Sequence, residues 1–224
     1  MVEKLEWDTE FFGYEIGKFT QLDNSPFQLE SFMDQAKKFK LVYLFSEFDI
    51  VPAKSLLFME KKVTFQKTLR PIGSGSSEIK LYQSGLDSFE ELQQLAFISG
   101  RYSRYKLDSN FTTNEFQKLY SAWIKKEEID ILIYKDDHKI VGFITVEKVD
   151  INLSRVGLIA VDPKHQRKGI AQKLVAEAEI LSMEKGNFQM HISTQSQNTA
   201  AMNFYKKNGY TIHSIVNIYH YWNL

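Results

Sequence analysis

Cysteine is absent from the 224-residue chain, which excludes disulfides, thiol nucleophiles and cysteine-ligated zinc. The five histidines form no HExxH motif and no i, i+4 pair, so we predict no metal site and assign them to packing or to the surface. A chain without cysteine is common in the cytoplasm, and this is the location that we expect.

Charge of one sign and long hydrophobic runs are lacking as well. Twenty-eight basic residues balance 28 acidic ones, so the chain has no general basic surface for nucleic acid or for an anionic membrane. The longest apolar runs, such as Val156–Val161, are far shorter than the ~20 residues of a membrane-spanning helix. The polar, acidic N-terminus argues against a signal peptide. We therefore expect neither a nucleic-acid nor a membrane partner.

Residues 71–78 are typical of a linker, because they begin with the turn-rich sequence Pro71-Ile72-Gly73-Ser74-Gly75. We predict a small N-terminal α/β domain over 1–70 and a larger domain over 79–224. In the first domain we predict a helix over 27–39, capped by Asn24-Ser25-Pro26, and strands over 41–45 and 63–69.

The larger domain predicts the element order β-α-α-β-β-β-α-β-α-β. Two capping boxes, Ser88 with Glu91 and Thr112 with Glu115, open its first two helices. A strand–loop–helix–strand unit begins at Arg155, and its long helix is predicted over 169–185. Such units give parallel strands with a crossover helix, so the fold class is α/β (α+β).

The loop before the long helix is the most informative segment. Successive backbone N–H groups at a helix N-terminus can bind a phosphate, and a glycine there permits close approach. We therefore predict a phosphate or pyrophosphate site formed by Gln166, Arg167, Lys168, Gly169, Ile170 and Ala171. The alternative is an ordinary basic loop before a helix.

This segment resembles the pyrophosphate loop of the GNAT superfamily of N-acetyltransferases. A second motif of the superfamily follows after a strand, as Asn198-x-x-Ala201-x-x-x-Tyr205-x-x-x-Gly209-Tyr210. The resemblance implies the GNAT fold, a mixed twisted sheet with two splayed parallel strands, flanked by helices. It also implies an acetyltransferase with acetyl-CoA as cosubstrate and without a metal.

The resemblance further implies roles for single residues. Coenzyme A would lie between the splayed strands against the backbone of Ile159, Ala160 and Val161, with Asn198 and Ala201 close to it. The Ile159 N–H would bind the oxyanion, and Tyr205 would be the general acid. The alternatives are fully paired strands and a Tyr205 that only fills the core. Asn198 is also a helix N-cap by residue type, and both roles can hold.

No general base is assigned by the sequence. Glu147 and Asp150, near the end of the strand before Arg155, are placed for the role, but solvated surface carboxylates are the better interpretation of both.

The N-terminal sequence Trp7-Asp8-Thr9-Glu10-Phe11-Phe12-Gly13 resembles a subgroup, the TDP-fucosamine acetyltransferases. It implies N-acetylation of a nucleotide-linked sugar, dTDP-4-amino-4,6-dideoxygalactose, for cell-surface polysaccharide. Residues suited to the diphosphate and to stacking on thymine lie in a loop predicted between two helices: Arg101, Tyr102, Arg104 and Tyr105.

Other functions stay open at this point. The acceptor could be another amine, such as an antibiotic, a polyamine or a protein N-terminus. The protein could also bind acyl-CoA as a sensor without catalysis, or be a nucleotide-binding module outside the superfamily. A homodimer is open too.

Overall fold

The structure is a computed structural model that describes residues 1–50, 55–70 and 75–223. The helices and strands follow one another as β1 Glu3–Lys4, α1 Glu6–Phe12, β2 Ile16–Gln21, α2 Leu29–Ala36, β3 Leu41–Ser46, β4 Leu56–Thr68, β5 Ile79–Leu81, α3 Phe89–Ser99, α4 Arg104–Leu107, α5 Thr113–Trp123, β6 Ile129–Asp136, β7 Lys139–Asp150, β8 Leu153–Val161, α6 Ile170–Glu184, β9 Gln189–Gln195, α7 Thr199–Lys207 and β10 Thr211–Trp222.

The chain forms two compact units, and the division falls within β4 and β10. The first unit comprises Met1–Val63, Gln195–Gln197 and Ser214–Leu224, and the second comprises Thr64–Thr194 and Asn198–His213. Part of the predicted linker, residues 71–74, lies outside the described residues. The predicted domain boundary at 71–78 stays a prediction.

In the first unit the strands run in the order β1-β2-β3-β10-β4. β2 is parallel to β3, and β3 is antiparallel to β10. Helix α2 covers this sheet with Phe32, which packs with Phe39, Leu44 and Tyr219 in one buried cluster. The cluster takes the alternate residues Val42 and Leu44 of β3 and Tyr219 and Tyr221 of β10, because alternate strand residues share one face of the sheet.

Helix α2 begins later than the sequence predicts. Its N-cap is Gln28, whose side chain makes no capping hydrogen bond. The predicted cap residues form a separate turn, in which the Ser25 N–H donates to Asp23 Oδ1 at 3.0 Å. The prediction of a cap at Asn24-Ser25-Pro26 was wrong, because Ser25 takes part in this earlier turn instead.

In the second unit the strands run in the order β4-β9-β8-β7-β6-β5. The strands from β5 to β8 pair antiparallel, and β8 pairs parallel with β9. Helix α6 packs closely on β7, since a Cβ at Gly142 would lie 2.9 Å from Cγ2 of Ile170. This mixed sheet with flanking helices confirms the predicted fold class.

Local signals in this unit succeed to different degrees. The Thr112–Glu115 capping box is reciprocal, as predicted. At the other box Ser88 accepts the Glu91 N–H, but Glu91 Oε2 accepts from the Ile140 N–H of β7 at 2.9 Å. The segment predicted as a loop between two helices contains the short helix α4. No helix among the described residues is long and apolar enough to cross a membrane.

Candidate active site

A β-bulge in β8 is the feature that opens the site. Ile144 of β7 pairs with Ile159 and Val146 pairs with Val156, so Gly157 and Leu158 together face the single residue Thr145. The Leu158 N–H donates to Thr145 Oγ1 at 2.8 Å instead of to a backbone carbonyl. A bulge of this kind bends its strand and increases the local twist.

The parallel pairing of β8 with β9 stops where the bulge begins. The register runs from Leu153↔Gln189 to Val156↔Ile192 and goes no further among the described residues. Both strands continue past this point, β8 to Val161 and β9 to Gln195. The two strands are therefore splayed at their C-terminal ends, which is the geometry that the sequence resemblance implies.

Two backbone positions of β8 face the gap. The Asp162 N–H donates to the Val141 carbonyl of β7 at 2.8 Å. Hydrogen-bonded pairs alternate along antiparallel strands, so Ala160 is the next residue that bonds to β7. The backbone groups of Ile159 and Val161 therefore point to the opposite side, toward β9. This places donors and acceptors of a strand edge along the gap.

The loop after β8 leads into helix α6 through a turn that contains two residues with a left-handed backbone conformation. Arg167 has φ 63° and Gly169 has φ 81°. Gly169 is the N-cap of α6, and no atom lies within 4 Å of the position that a Cβ would take there. The first backbone bond of the helix runs from the Lys173 N–H to the Gly169 carbonyl. The N–H groups of Ile170 and Ala171 precede it and remain available to a ligand.

His165 anchors this loop between two carboxylates. Its Nδ1 lies 3.0 Å from Asp162 Oδ1, and its Nε2 lies 3.2 Å from Asp136 Oδ2. The hydrogen bond with His165 is the main reason why the pKa of Asp162 is lowered. Gln166 folds back onto the strand, where its Nε2 donates to the Val161 carbonyl at 3.1 Å. The loop is thus held at both sides of the turn.

Helix α7 follows β9 and carries Tyr205. Its N-cap is Asn198, whose side chain accepts from the Ala201 N–H and donates to Thr194 Oγ1, both at 3.3 Å. This confirms Asn198 as a cap. The bond to Thr194 ties the start of α7 to β9, so the helix has a fixed position next to the splayed strand.

The Tyr205 ring is buried, with 3% of its surface exposed. It packs on Phe65 and on Tyr210, with ring centroids 5.5 and 6.1 Å apart. Its hydroxyl has no hydrogen-bond partner among the described residues, and burial raises its pKa well above the ordinary value. The phenol is therefore protonated at neutral pH, and its proton is not committed to another group of the described chain.

A buried ion pair supports the ring of Tyr210. Glu179 of α6 is 2% exposed and accepts from Lys67 Nζ at 2.8 Å through both carboxylate oxygens. The Tyr210 hydroxyl donates to the same carboxylate at 2.8 Å. These contacts link β4, α6 and the residue before β10, and the Tyr210 ring packs on Tyr205.

Comparison with known proteins decides the family. The model of the acetyltransferase (GNAT) family matches residues 87–210, more than half of the chain. The chain belongs to this family. It is accordingly an acetyl-CoA-dependent N-acetyltransferase.

One relative is similar in sequence, and two solved structures share the fold. A spermidine N(1)-acetyltransferase from Thermoplasma acidophilum is 28% identical over 131 residues, covering 58% of this chain and 73% of that enzyme. A conserved protein of unknown function from Staphylococcus epidermidis shares the fold with a TM-score of 0.61 at 13% identity, covering 94% of this chain and 85% of the other. A GCN5-related N-acetyltransferase from Sphaerobacter thermophilus gives a TM-score of 0.56 at 14% identity, covering 92% and 72% of the two chains.

The predicted substrate-binding residues of the acetyltransferase separate into two environments. Arg101 is exposed, and its guanidinium lies 4.8 Å from the ring centroid of the half-buried Tyr102. Tyr105 is buried against Phe111, and its hydroxyl accepts from Arg104 Nη2 at 2.7 Å. Of these four residues, Arg101 is exposed, Tyr102 and Arg104 are half-buried, and Tyr105 is buried.

The two carboxylates considered as general bases have local partners. Glu147 Oε1 accepts from Arg155 Nε at 2.6 Å across β7 and β8, and Asp150 Oδ1 accepts from the Ile151 N–H at 2.7 Å. Within the described ranges, no group of three or more His, Cys, Asp or Glu side chains could hold a metal ion.

Sequence reasoning missed two elements of this site. His165 was assigned no role from the sequence. A histidine three residues after an aspartate at the start of a turn is nevertheless a local signal, because the two side chains can form a hydrogen bond across the turn. Thr145 could not be identified from the sequence, because its hydroxyl accepts the Leu158 N–H only where the bulge of β8 lies opposite it.

Proposed function

We propose that acetyl-CoA binds in the gap between β8 and β9, with its pyrophosphate at the N-terminus of α6. The observation that carries this proposal is the end of β8–β9 pairing at Val156↔Ile192, directly before the bulge. The gap exposes strand-edge groups that can pair with the amides of the pantetheine arm, as an added strand would.

Residues 166–171, called the phosphate loop from here on, suit a pyrophosphate in backbone conformation and in charge. The unhindered left-handed Gly169 and the N–H groups of Ile170 and Ala171 would face the phosphates. Arg167 and Lys168 add positive charge. Gln166 would fix the end of β8 through its hydrogen bond to the Val161 carbonyl. Asn198 and Ala201 would border the gap from α7.

The same residues provide the chemistry of acetyl transfer. The backbone N–H of Ile159 faces the gap and can stabilise negative charge on the carbonyl oxygen of the thioester. Tyr205 keeps its proton at neutral pH and can donate it to the departing thiolate. These two groups would act on the two atoms that gain negative charge during the reaction.

We infer that the acceptor is the amine of a nucleotide-linked amino sugar, as in the TDP-fucosamine acetyltransferases. The N-terminal sequence Trp7–Gly13 supports this inference through its resemblance to that subgroup. The exposed Arg101 and the half-buried Tyr102 support it through their chemistry, since arginine suits a diphosphate and tyrosine stacks on a base.

A polyamine is the second candidate acceptor. It is favoured by the similarity to the spermidine N(1)-acetyltransferase from Thermoplasma acidophilum. A polyamine has no group that an arginine would bind, so the two candidates predict opposite responses to loss of Arg101.

Thiol release from acetyl-CoA tests both candidates. The wild-type protein would be offered TDP-, UDP- and GDP-linked amino sugars, spermidine and aminoglycosides. We expect turnover with TDP-4-amino sugars, and we expect Arg101→Ala to raise the KM for the sugar at least tenfold. Lys118→Ala, an exposed change on α5, serves as the control. Turnover of spermidine alone would overturn the sugar assignment and leave the acetyl-CoA site standing.

A further inference from the structure

One face of the sheet around the bulge carries an unassigned group of titratable side chains. Along β9, Met190 and Ile192 are buried, whereas His191 and Ser193, which alternate with them, are partly exposed. The parallel register places Arg155 of β8 beside His191 on that same face. Parallel partners in register point their side chains to the same side of a sheet.

His191 lies against a second histidine on this face. The rings of His191 and His213 have centroids 4.6 Å apart and are tilted by 36°. The other neighbouring charges are Arg155 and its ion-pair partner Glu147, while Thr64 of β4 and Ser193 form a neutral hydrogen-bonded pair at 3.0 Å. No group of the described residues makes a hydrogen bond to the His191 ring.

The environment keeps His191 neutral. Partial burial, followed by the charges of His213 and Arg155, lowers the pKa of His191 below its usual value. A neutral imidazole near pH 7 can accept a proton, which a protonated one cannot.

The register of β8 and β9 shows where His191 lies along the gap between these two strands. It pairs with Arg155, one residue before the last pair of β8 and β9, so it lies at the closed end of the splay. The level of Ile159 is about 10 Å further along the strands at a rise of about 3.3 Å per residue, with one residue taken up by the bulge. An imidazole, one bridging water and an amine can span this interval through hydrogen bonds of about 2.8 Å.

The two faces of the sheet separate His191 from Tyr205. Phe65 packs on Tyr205 and is fully buried, whereas the adjacent Thr64 bonds to Ser193 on the His191 side. Consecutive strand residues point to opposite faces. The proton donor proposed above, Tyr205, and the His191 imidazole therefore lie on opposite faces of the sheet.

We propose that His191 is the proton acceptor for the amine, through one water molecule, with His213 as its positioning partner. The proposal rests on the location of the thioester proposed above. It does not depend on whether the amine belongs to a sugar or to a polyamine.

The proton balance of the reaction is complete with these groups. The ammonium loses one proton to His191, and the free amine forms a C–N bond with the thioester carbonyl carbon. The C–S bond breaks, and the thiolate takes the proton of Tyr205. The nitrogen gives up a second proton, which restores Tyr205, and His191 releases its proton to solvent. The products are the amide, free thiol and one proton.

The pH dependence of kcat/KM for the amine tests the proposal, with whichever amine the wild type acetylates. We expect an acid limb below about pH 6.5, because the pKa of His191 is lowered from this ordinary value. His191→Gln should lower kcat by about 10²-fold or more and remove this limb, with the KM for acetyl-CoA unchanged within a few-fold. His213→Gln should move the limb to higher pH, because it removes a charge that lowers the pKa of His191.

His138→Asn is the matched control, since His138 is an exposed histidine of the β6–β7 turn with φ 68°, a conformation that asparagine tolerates. It should leave the profile unchanged. A wild-type profile without the acid limb, or a folded His191→Gln protein with wild-type kcat and limb, would overturn the proposal. If His191→Gln does not fold, an unshifted limb in His213→Gln overturns it. Failure of every amine in the panel would instead count against the proposed function.

Discussion

Replacing Gly169 by alanine tests whether the phosphate loop contacts the pyrophosphate. A matched substitution at Gly186 separates this effect on binding from the effect on folding. Gly169 has φ 81°, a conformation that disfavours a Cβ, and no atom lies within 4 Å of the new methyl group. Gly186, just beyond the other end of α6, has φ 79° and equally open surroundings. The two glycines therefore carry the same backbone strain at opposite ends of one helix.

The expected magnitudes follow from this pairing. The left-handed conformation costs a residue with a Cβ about 1–2 kcal/mol, which corresponds to a fall of about 2–8 °C in Tm for a chain of this size. Both alanine variants should show this loss. Only Gly169→Ala should place a methyl group where the pyrophosphate approaches. Loss of one charge-assisted hydrogen bond, worth about 1.5–3 kcal/mol, weakens acetyl-CoA binding by about 10- to 150-fold.

Calorimetric titration of both folded variants with acetyl-CoA measures the difference. Thermal unfolding of the same samples provides the strain cost of each substitution. Equal Kd values for Gly169→Ala and Gly186→Ala, together with equal losses of Tm, would show that the loop does not contact the phosphates, and the reasoning would be refuted.

Three further changes test separate parts of the site. Tyr205→Phe should lower kcat by about 10²–10⁴-fold and leave the acetyl-CoA affinity within a few-fold of the wild-type value. Its Tm should be unchanged, because the hydroxyl has no partner in the described chain. A normal single-turnover rate would remove Tyr205 from the mechanism. His165→Ala should return the pKa of Asp162 toward 3.8, so its loss of Tm should be present above pH 4 and disappear as the pH falls below this value; a loss independent of pH would contradict this. Glu179→Gln should destabilise the fold by about 1.5–3 kcal/mol, since the half-buried Lys67 loses its charged partner, whereas the exposed Glu184→Gln on the same helix should cost almost nothing. Chemical denaturation compares the two variants, and equal stabilities would refute the importance of the ion pair.

Local chemistry explains which parts of the fold the sequence predicts. The helix predicted over 169–185 is found as Ile170–Glu184, because a glycine and a lysine mark its two ends. The Thr112–Glu115 box is found with both of its hydrogen bonds. In each case the signal lies within a few residues of the element that it defines.

The missed elements lack such local signals. Helix α1 has no side-chain cap, and none of its seven residues is buried. Its one apolar i, i+4 pair, Trp7 and Phe11, is too short a pattern to predict a helix. Strand β1 has two residues, and strand β2 gains its stability from pairing with β3, which is distant in sequence. These elements depend on tertiary partners, and periodicity in a single segment does not reveal them.

The bulge in β8 connects the sequence of two neighbouring strands to the chemistry of the site. Gly157 lacks a Cβ, and a methyl group there would lie 2.9 Å from Thr145 Oγ1, so the position admits only glycine without rearrangement. The Thr145 hydroxyl in turn accepts the Leu158 N–H, which the extra residue would otherwise leave unpaired inside the sheet. Both of these contacts join β7 to β8. Because β9 takes no part in them, the gap beside Ile159 does not require a bound ligand to hold it open.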